Sequence, residues 1–121
     1  MTEATKHDGD KCAMDLIAPE LLEAVGDVLK FGAGKYASRN WEKGMAWGRC
    51  YGAALRHLNA WHAAHLRGES GKDPESGLSH LAHAACCISF LLAYEARGIG
   101  TDDRPNLLKR TACSAERSSG L

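Results

Sequence analysis

The sequence carries no excess of charge of either sign. Lysine and arginine together number 15, and aspartate and glutamate together also number 15, so the formal net charge is zero. A neutral chain has no overall field that would draw it toward nucleic acid or an anionic lipid surface. We therefore expect no nucleic-acid polymer as a partner, and any phosphate that binds must be held by a local cluster of cations.

The sequence also lacks a long apolar run. Its longest apolar stretch, residues 84–93, is too short to span a bilayer, and the charged start MTEATKHDGDKC contains no segment that could act as a signal peptide. These absences predict a protein that has no membrane partner and is located in the cytoplasm.

Paired cysteines and the common phosphate-binding glycine motifs are missing too. The five cysteines are an odd number without paired spacing, and adjacent Cys86 and Cys87 cannot readily bond to each other. A disulfide framework is therefore not expected. Neither GxxxxGK[ST] nor a GxGxxG turn after a strand occurs, which excludes the P-loop and the dinucleotide-binding fingerprint.

What the sequence does contain is apolar residues at helical spacing. Such residues recur at intervals of three and four in the segments 19–32, 47–66 and 75–96. Pro19 suits the first turn of a helix, and Gly98 suits a C-terminal stop. Because 45% of the residues are hydrophobic, the chain can bury one core.

The order of these segments predicts an all-α fold. The turn RGESGKDPESG separates the second and third helices, and its Asp73 and Pro74 suit an N-cap and a first helical position. We expect a small helical bundle built on a long antiparallel helical hairpin, with a glycine- and aromatic-rich loop before it. Residues 1–105 form the predicted domain, and residues 106–121 form a predicted irregular or disordered tail.

The loop FGAGKYASRNW offers the parts of a nucleotide pocket. Lys35 supplies charge for phosphate, Asn40 supplies an amide for base or sugar, and Tyr36 and Trp41 supply rings for stacking. The alternative is a surface loop that is anchored by its aromatic residues.

The predicted hairpin brings further polar residues together. Antiparallel packing places His57 near the level of His83, and His80 lies three residues before His83 on the same helix face. Histidines and carboxylates together are typical of a divalent metal and phosphate site. The alternatives are half-buried histidines bonded to polar neighbours and, for Arg56, a solvated side chain in place of a phosphate clamp. The carboxylates that flank this end of the hairpin are Glu69, Asp73 and Glu75.

Five ordered blocks resemble one protein family across nearly the whole chain. They are HDGDKCAMDLIAPELLEAV, FGAGKYASRNWEKGMAW, AALRHLNAW, GESGKDPESGLSHLAHAACC and GTDDRP. This order is similar to that of the N-terminal domain of phage dATP/dGTP diphosphohydrolases. The resemblance implies an all-α, oligomeric enzyme that splits a purine deoxynucleoside triphosphate into the monophosphate and pyrophosphate with a divalent ion. It also implies a bacterial host cytoplasm as the location.

The resemblance also implies functional residues. Its nucleotide-loop pattern matches Lys35, Tyr36, Asn40 and Trp41. Its polar hairpin pattern matches Arg56, His57, Glu69, Asp73, Glu75, His80 and His83, and its closing segment matches Asp102, Asp103 and Arg104.

Within that set we assign roles by chemistry. Mg²⁺ or Mn²⁺ would be held by Glu69, Asp73, Glu75 and His83, and the catalytic residues would be Glu69, Asp73, His57 and His80. The residues that contact substrate would be Lys35, Tyr36, Asn40, Trp41, Arg56, Asp103 and Arg104.

Two features depart from expectation. GESGK places a glycine and a lysine where a more acidic turn is expected, and the paired ExxE and ExxD helices of MazG-like pyrophosphatases are not visible. A nucleotide-binding sponge, which captures a nucleotide or a cyclic-nucleotide signal without turnover, is therefore an alternative function, and a structural helical module is another. Under each of these we expect a dimer or tetramer, because three short helices with wide apolar stripes cannot fully cover one another.

Overall fold

The computed structural model describes residues 3–7 and 9–108, and within these residues it contains three α-helices and no strands. Helix α1 spans Pro19–Ala33, α2 spans Trp47–Leu66 and α3 spans His80–Arg97. Two short 3-10 helices, Met14–Leu16 and Asn40–Lys43, precede α1 and α2. The all-α prediction is confirmed. The predicted tail, 106–121, lies for the most part outside the described residues.

The bounds of α1 and α2 follow the sequence signals. Helix α1 begins at Pro19, whose missing N–H costs nothing in the first helical turn, and α2 covers the predicted range 47–66. Helix α3 ends at Arg97, and Gly98 follows it in the left-handed conformation with a φ of 65°. Gly98 is thus the predicted C-terminal stop.

The predicted start of the third helix at Glu75 is wrong, because α3 begins five residues later, at His80. Asp73 does not cap a helix: its Oδ1 accepts hydrogen bonds from the backbone N–H groups of Glu75 and Ser76 and closes a turn. Gly77 then adopts a φ of 74°, with which a right-handed helix cannot continue. Ser79 is the N-cap instead, and its side chain accepts a hydrogen bond from the N–H of Leu81.

Helix α3 lies in the middle of the packing and contacts both α1 and α2. Small side chains fill the contact between α2 and α3, so the two backbones can approach closely. Tyr94 is the one large side chain of the described residues that is fully buried, and its hydroxyl donates to the carbonyl of Trp41 at 2.6 Å. The buried small residues are Cys50, Ala54, Ala64, Ala82, Ala84 and Cys86.

The segment that enters α2 runs beside the segment that leaves α3, and a parallel bridge joins Ala46 to Thr101. The N–H of Trp47 donates to the carbonyl of Thr101 at 2.9 Å, and the indole N–H of Trp47 donates to the carbonyl of Ile99. Gly44 and Gly100 have φ values of 88° and 79°, and a Cβ on either would collide with the backbone of the other segment. The start of α2 is therefore fixed beside the end of α3.

One side of α2 and α3 remains uncovered in the single chain. Leu55 and Leu58 are half-exposed on α2, and Ile88 and Leu92 are exposed on α3. We call these four residues the outer face. None of the helices in the described part of the chain is long and apolar enough to cross a membrane.

Candidate active-site cleft

A cleft of about 740 Å³ lies between α1, the loop after it, α2 and α3. Two carboxylates, Asp73 and Glu75, line it, and four cationic side chains outnumber them. In a chain without net charge, this cleft concentrates positive charge in one place. The four cations are Lys35, Lys43, Arg49 and Arg56.

Most of the residues predicted to contact substrate line this cleft. They are Lys35, Tyr36, Asn40, Trp41 and Arg56. Lys43 and Arg49 also line the cleft, although neither was predicted from the sequence. Arg49 lies seven residues before Arg56, which is two helical turns, so helical spacing could have found it. Lys43 lies in the 3-10 helix and had no comparable periodic signal.

The two predicted stacking residues differ in how free their rings are. Trp41 stacks on Phe90 with ring centroids 4.7 Å apart, and the guanidinium of Arg97 lies 5.4 Å from its centroid. Tyr36 is 60% exposed. Trp41 therefore holds the loop to α3, while Tyr36 keeps ring surface open for a base.

Lys35 and Glu75 join two sides of the cleft. The ammonium of Lys35 donates to the carboxylate of Glu75 at 2.6 Å, across 40 residues of sequence. This hydrogen bond and the charge of Glu75 raise the pKa of Lys35. Lys35, the phosphate-binding candidate of the loop, is thus ion-paired with Glu75.

Three histidines meet in a cluster where α2 packs against the start of α3, and of these His57 and His83 line the cleft while His80 does not. Nδ1 of His57 on α2 is 2.9 Å from Nδ1 of His80 on α3, and His83 stacks on His57 with centroids 4.7 Å apart. The predicted proximity of His57 and His83 is confirmed. Burial, followed by the charges of His83 and His80, lowers the pKa of His57. The neutral ring is therefore favoured at this position.

Asp73 completes the cluster from the loop before α3. Ligand atoms of His57, Asp73 and His80 all lie within 4.8 Å of one another, and none of the three residues is exposed. Partial burial opposes ionisation of Asp73, but the N–H groups of Ser76 and Glu75, together with the charges of His83 and His57, outweigh it and lower its pKa. His83 is held separately, since its Nε2 is 2.7 Å from the hydroxyl oxygen of Ser76.

The comparisons with known proteins agree with one another. Residues 1–104 match the family described as dATP/dGTP diphosphohydrolase, N-terminal. The chain belongs to this family. A Salmonella phage PMBT28 protein named dATP/dGTP diphosphohydrolase is 34% identical over 99 residues, which cover 82% of this chain. The chain spans about a third of that relative's length, 32%. No solved structure matches.

Three predicted site residues of this family member lie away from the cleft. Glu69 lines a separate hollow of about 310 Å³ with Trp61, His65 and Gly71. Asp103 accepts a hydrogen bond from the N–H of Gly48 at 2.7 Å, where a carboxylate stabilises the positive end of α2. The third residue, Arg104, contacts Asp102 and Trp47.

Arg104 is engaged in contacts within the fold. It makes two short side-chain hydrogen bonds to Asp102, and these lower the pKa of Asp102 to about 2. Its guanidinium also lies 5.3 Å from the ring centroid of Trp47. The GTDDRP segment therefore fastens the start of α2, and no residue from it lines the cleft.

The thiols that line the cleft, Cys86 and Cys87, are poor nucleophiles. Burial raises the pKa of both, that of Cys86 to about 12. A thiol in this state is almost entirely protonated at neutral pH. These cysteines act as small packing residues, as expected from their positions beside alanines.

Proposed function

We propose that the cleft binds a purine deoxynucleoside triphosphate and hydrolyses it to the monophosphate and pyrophosphate. The observation that carries the proposal is the excess of cations in a cleft that Asp73, His57 and His83 also line. The volume of the cleft is within the range of about 300–1,000 Å³ that is typical of small-molecule sites. The name of the phage relative, dATP/dGTP diphosphohydrolase, supports the substrate class.

Phosphate binding is assigned to the cations on α2 and the loop. Arg49 and Arg56 present planar guanidinium groups, which suit bidentate contacts with phosphate oxygens. Lys35 would exchange Glu75 for phosphate when the nucleotide enters. Tyr36 would stack on the purine, and Asn40 would bond to the base or sugar.

Hydrolysis also needs a divalent cation, for which Mg²⁺ and Mn²⁺ are the candidates. When bound, the cation would offset phosphate charge and polarise the bond that breaks. Asp73 fits this group, because its Oδ2 receives no hydrogen bond within the described residues. Glu75 is held by Lys35 and Glu69 lines another hollow, so we leave both out of the ligand set.

Proton transfer to the leaving group is assigned to His83. This side chain lines the cleft, and its Nε2 already shares a hydrogen with the hydroxyl of Ser76. A histidine in such a contact can carry a proton to a leaving oxygen and regain one from solvent.

The test is incubation of the purified chain with dGTP or dATP and Mn²⁺ or Mg²⁺, followed by chromatography for the monophosphate and pyrophosphate. We expect conversion that EDTA abolishes. Arg56→Ala and Arg49→Ala should each weaken nucleotide binding by roughly tenfold or more, since a charged hydrogen bond contributes about 1.5–3 kcal/mol. Arg67→Ala, at the exposed end of α2, is the matched control and should bind normally. Equal nucleotide affinity in all three variants would contradict the assignment.

A nucleotide-binding sponge is the second candidate. The observation that favours it is the shortage of free carboxylates, since only Asp73 of the three predicted ones joins the cluster. A sponge would bind the nucleotide with unchanged affinity in EDTA and release no pyrophosphate. The same chromatography, run beside a binding titration, separates the two functions.

A further inference from the structure

We infer that His57, His80 and Asp73 form a site for one transition-metal ion, such as Zn²⁺ or Mn²⁺, and that the site discriminates against Mg²⁺. The inference concerns the identity and ligands of the ion, and its relevance to turnover rests on the proposed function. It can be tested by metal binding alone. It replaces the carboxylate-based set that the sequence predicted.

The spacing of the nitrogen atoms fits two ligands of one ion. The two Nδ1 atoms of His57 and His80 are 2.9 Å apart. With metal–nitrogen distances of about 2.05 Å, two ligand nitrogens lie about 2.9 Å apart at a right angle and about 3.3 Å apart at the tetrahedral angle. The pair would need to separate by a few tenths of an ångström at most.

The third ligand is held ready by its own turn. Oδ1 of Asp73 accepts two backbone hydrogen bonds, and the N–H of Asp73 donates to the carbonyl of Leu78 at 2.7 Å. The N–H of His80 donates to the carbonyl of Gly71, which ties the start of α3 to the same loop. The carboxylate and the imidazole are therefore fixed relative to each other before an ion arrives.

Neighbouring side chains also hold the histidine rings. His83 stacks on His57 at an interplanar angle of 14°, which limits rotation of the His57 ring. Supports of this kind orient metal ligands and increase the affinity of a site. His57 comes from α2, Asp73 from the loop between α2 and α3, and His80 from α3. Only the folded chain therefore brings the three ligands together.

The donor atoms decide the class of metal. Two imidazole nitrogens and one carboxylate oxygen suit Zn²⁺, Mn²⁺, Fe²⁺ or Co²⁺, whereas Mg²⁺ prefers an all-oxygen shell of six. Three protein ligands leave positions for nucleotide oxygen atoms. His57 and Asp73 also line the cleft, so those positions are open to a bound triphosphate.

The experiment is calorimetric titration of the metal-stripped full chain with Zn²⁺, Mn²⁺ and Mg²⁺, without nucleotide. We expect one Zn²⁺ or Mn²⁺ per chain. The affinity for Mg²⁺ should be weaker by at least about a hundredfold. His57→Ala and Asp73→Asn should each reduce the Zn²⁺ affinity by roughly tenfold or more. His62→Ala, an exposed histidine on the same helix, is the control and should bind as the unchanged chain does.

A second measurement needs no variant and so does not depend on whether a variant folds. Imidazole ¹⁵N resonances of the unchanged chain should shift for Nδ1 of His57 and His80 when Zn²⁺ is added, while those of His62 stay in place. Unmoved resonances would mean that the two rings share only a hydrogen bond, and the inference would be overturned. Equal binding of Mg²⁺ and Zn²⁺ would also overturn it.

These outcomes are distinct from failure of the proposed function. Zn²⁺ binding without any nucleotide hydrolysis would leave the metal site standing and remove the hydrolase. Hydrolysis that needs only Mg²⁺ and persists in His57→Ala would support the hydrolase and remove the proposed metal site.

Discussion

At the scale of single residues, the Lys35–Glu75 ion pair would control, under the proposed function, how much charge is available to phosphate. Both side chains line the cleft, and they are 2.6 Å apart. Glu75→Gln removes a negative charge and releases Lys35 for a phosphate oxygen. We expect nucleotide binding in this variant to become roughly two- to tenfold tighter, which corresponds to the modest worth of an exposed ion pair.

A titration with a fluorescent purine nucleotide would measure this change. Glu69→Gln provides a control with the same chemical change in the separate hollow, and its affinity should stay the same. Weaker binding in Glu75→Gln would instead mean that Glu75 contacts the bound ion or the nucleotide.

The residues of the cleft were predictable where helical spacing fixes them. His57, His80 and His83 could be brought together from the sequence because each lies on a regular helix. Glu69 could not be excluded, since its position depends on the path of the loop between α2 and α3. The place of Asp103 was not predictable for a related reason: a carboxylate that stabilises a helix start resembles a ligand in the sequence.

At the scale of secondary-structure elements, two helical glycines allow a matched comparison. A Cβ at Gly26 in α1 would meet no atom within 4 Å, whereas a Cβ at Gly52 in α2 would lie 3.0 Å from Nη1 of Arg56. Alanine at either position should stabilise its helix by roughly 0.5–1 kcal/mol. Only Gly52→Ala should also displace Arg56 and weaken nucleotide binding.

Thermal unfolding monitored by circular dichroism, together with the nucleotide titration, would check this pair. A higher melting temperature is expected for both variants, with unchanged affinity in Gly26→Ala alone. If Gly52→Ala bound nucleotide normally, Arg56 would either contribute nothing or reach phosphate by another path.

The elements themselves show why part of the fold was predictable. Periodic apolar residues, Pro19 and Gly98 define helix bounds locally, and these bounds were correct. The start of α3 was not, because an Asp-Pro pair serves equally as a helix cap and as a tight turn. The positive φ of Gly77 and the hydroxyl cap of Ser79 fix the start of α3 at His80 instead.

At the scale of the whole molecule, the outer face predicts self-association. Leu92 is 61% exposed and Leu55 is 48% exposed, and both lie on the side of their helices away from the cleft. We expect a second copy of the chain to cover this apolar surface. Light scattering after size-exclusion chromatography should give a dimer or tetramer for the unchanged chain.

Leu92→Glu should shift that equilibrium toward the monomer, since a charge would be buried at the contact. Glu95→Gln, an exposed neighbour on α3, is the control and should keep the assembly. A monomer for the unchanged chain at high concentration would contradict the prediction.

The small buried residues between α2 and α3 would have a consequence for the proposed metal site. They set the separation of the two helix backbones, and therefore the bite angle at which His57 and His80 could chelate one ion. A larger side chain at Ala54 or Ala82 would push the helices apart and widen that angle without touching a ligand. A core side chain that is larger by one methyl group would then change which ion the site prefers, although it contacts no ligand.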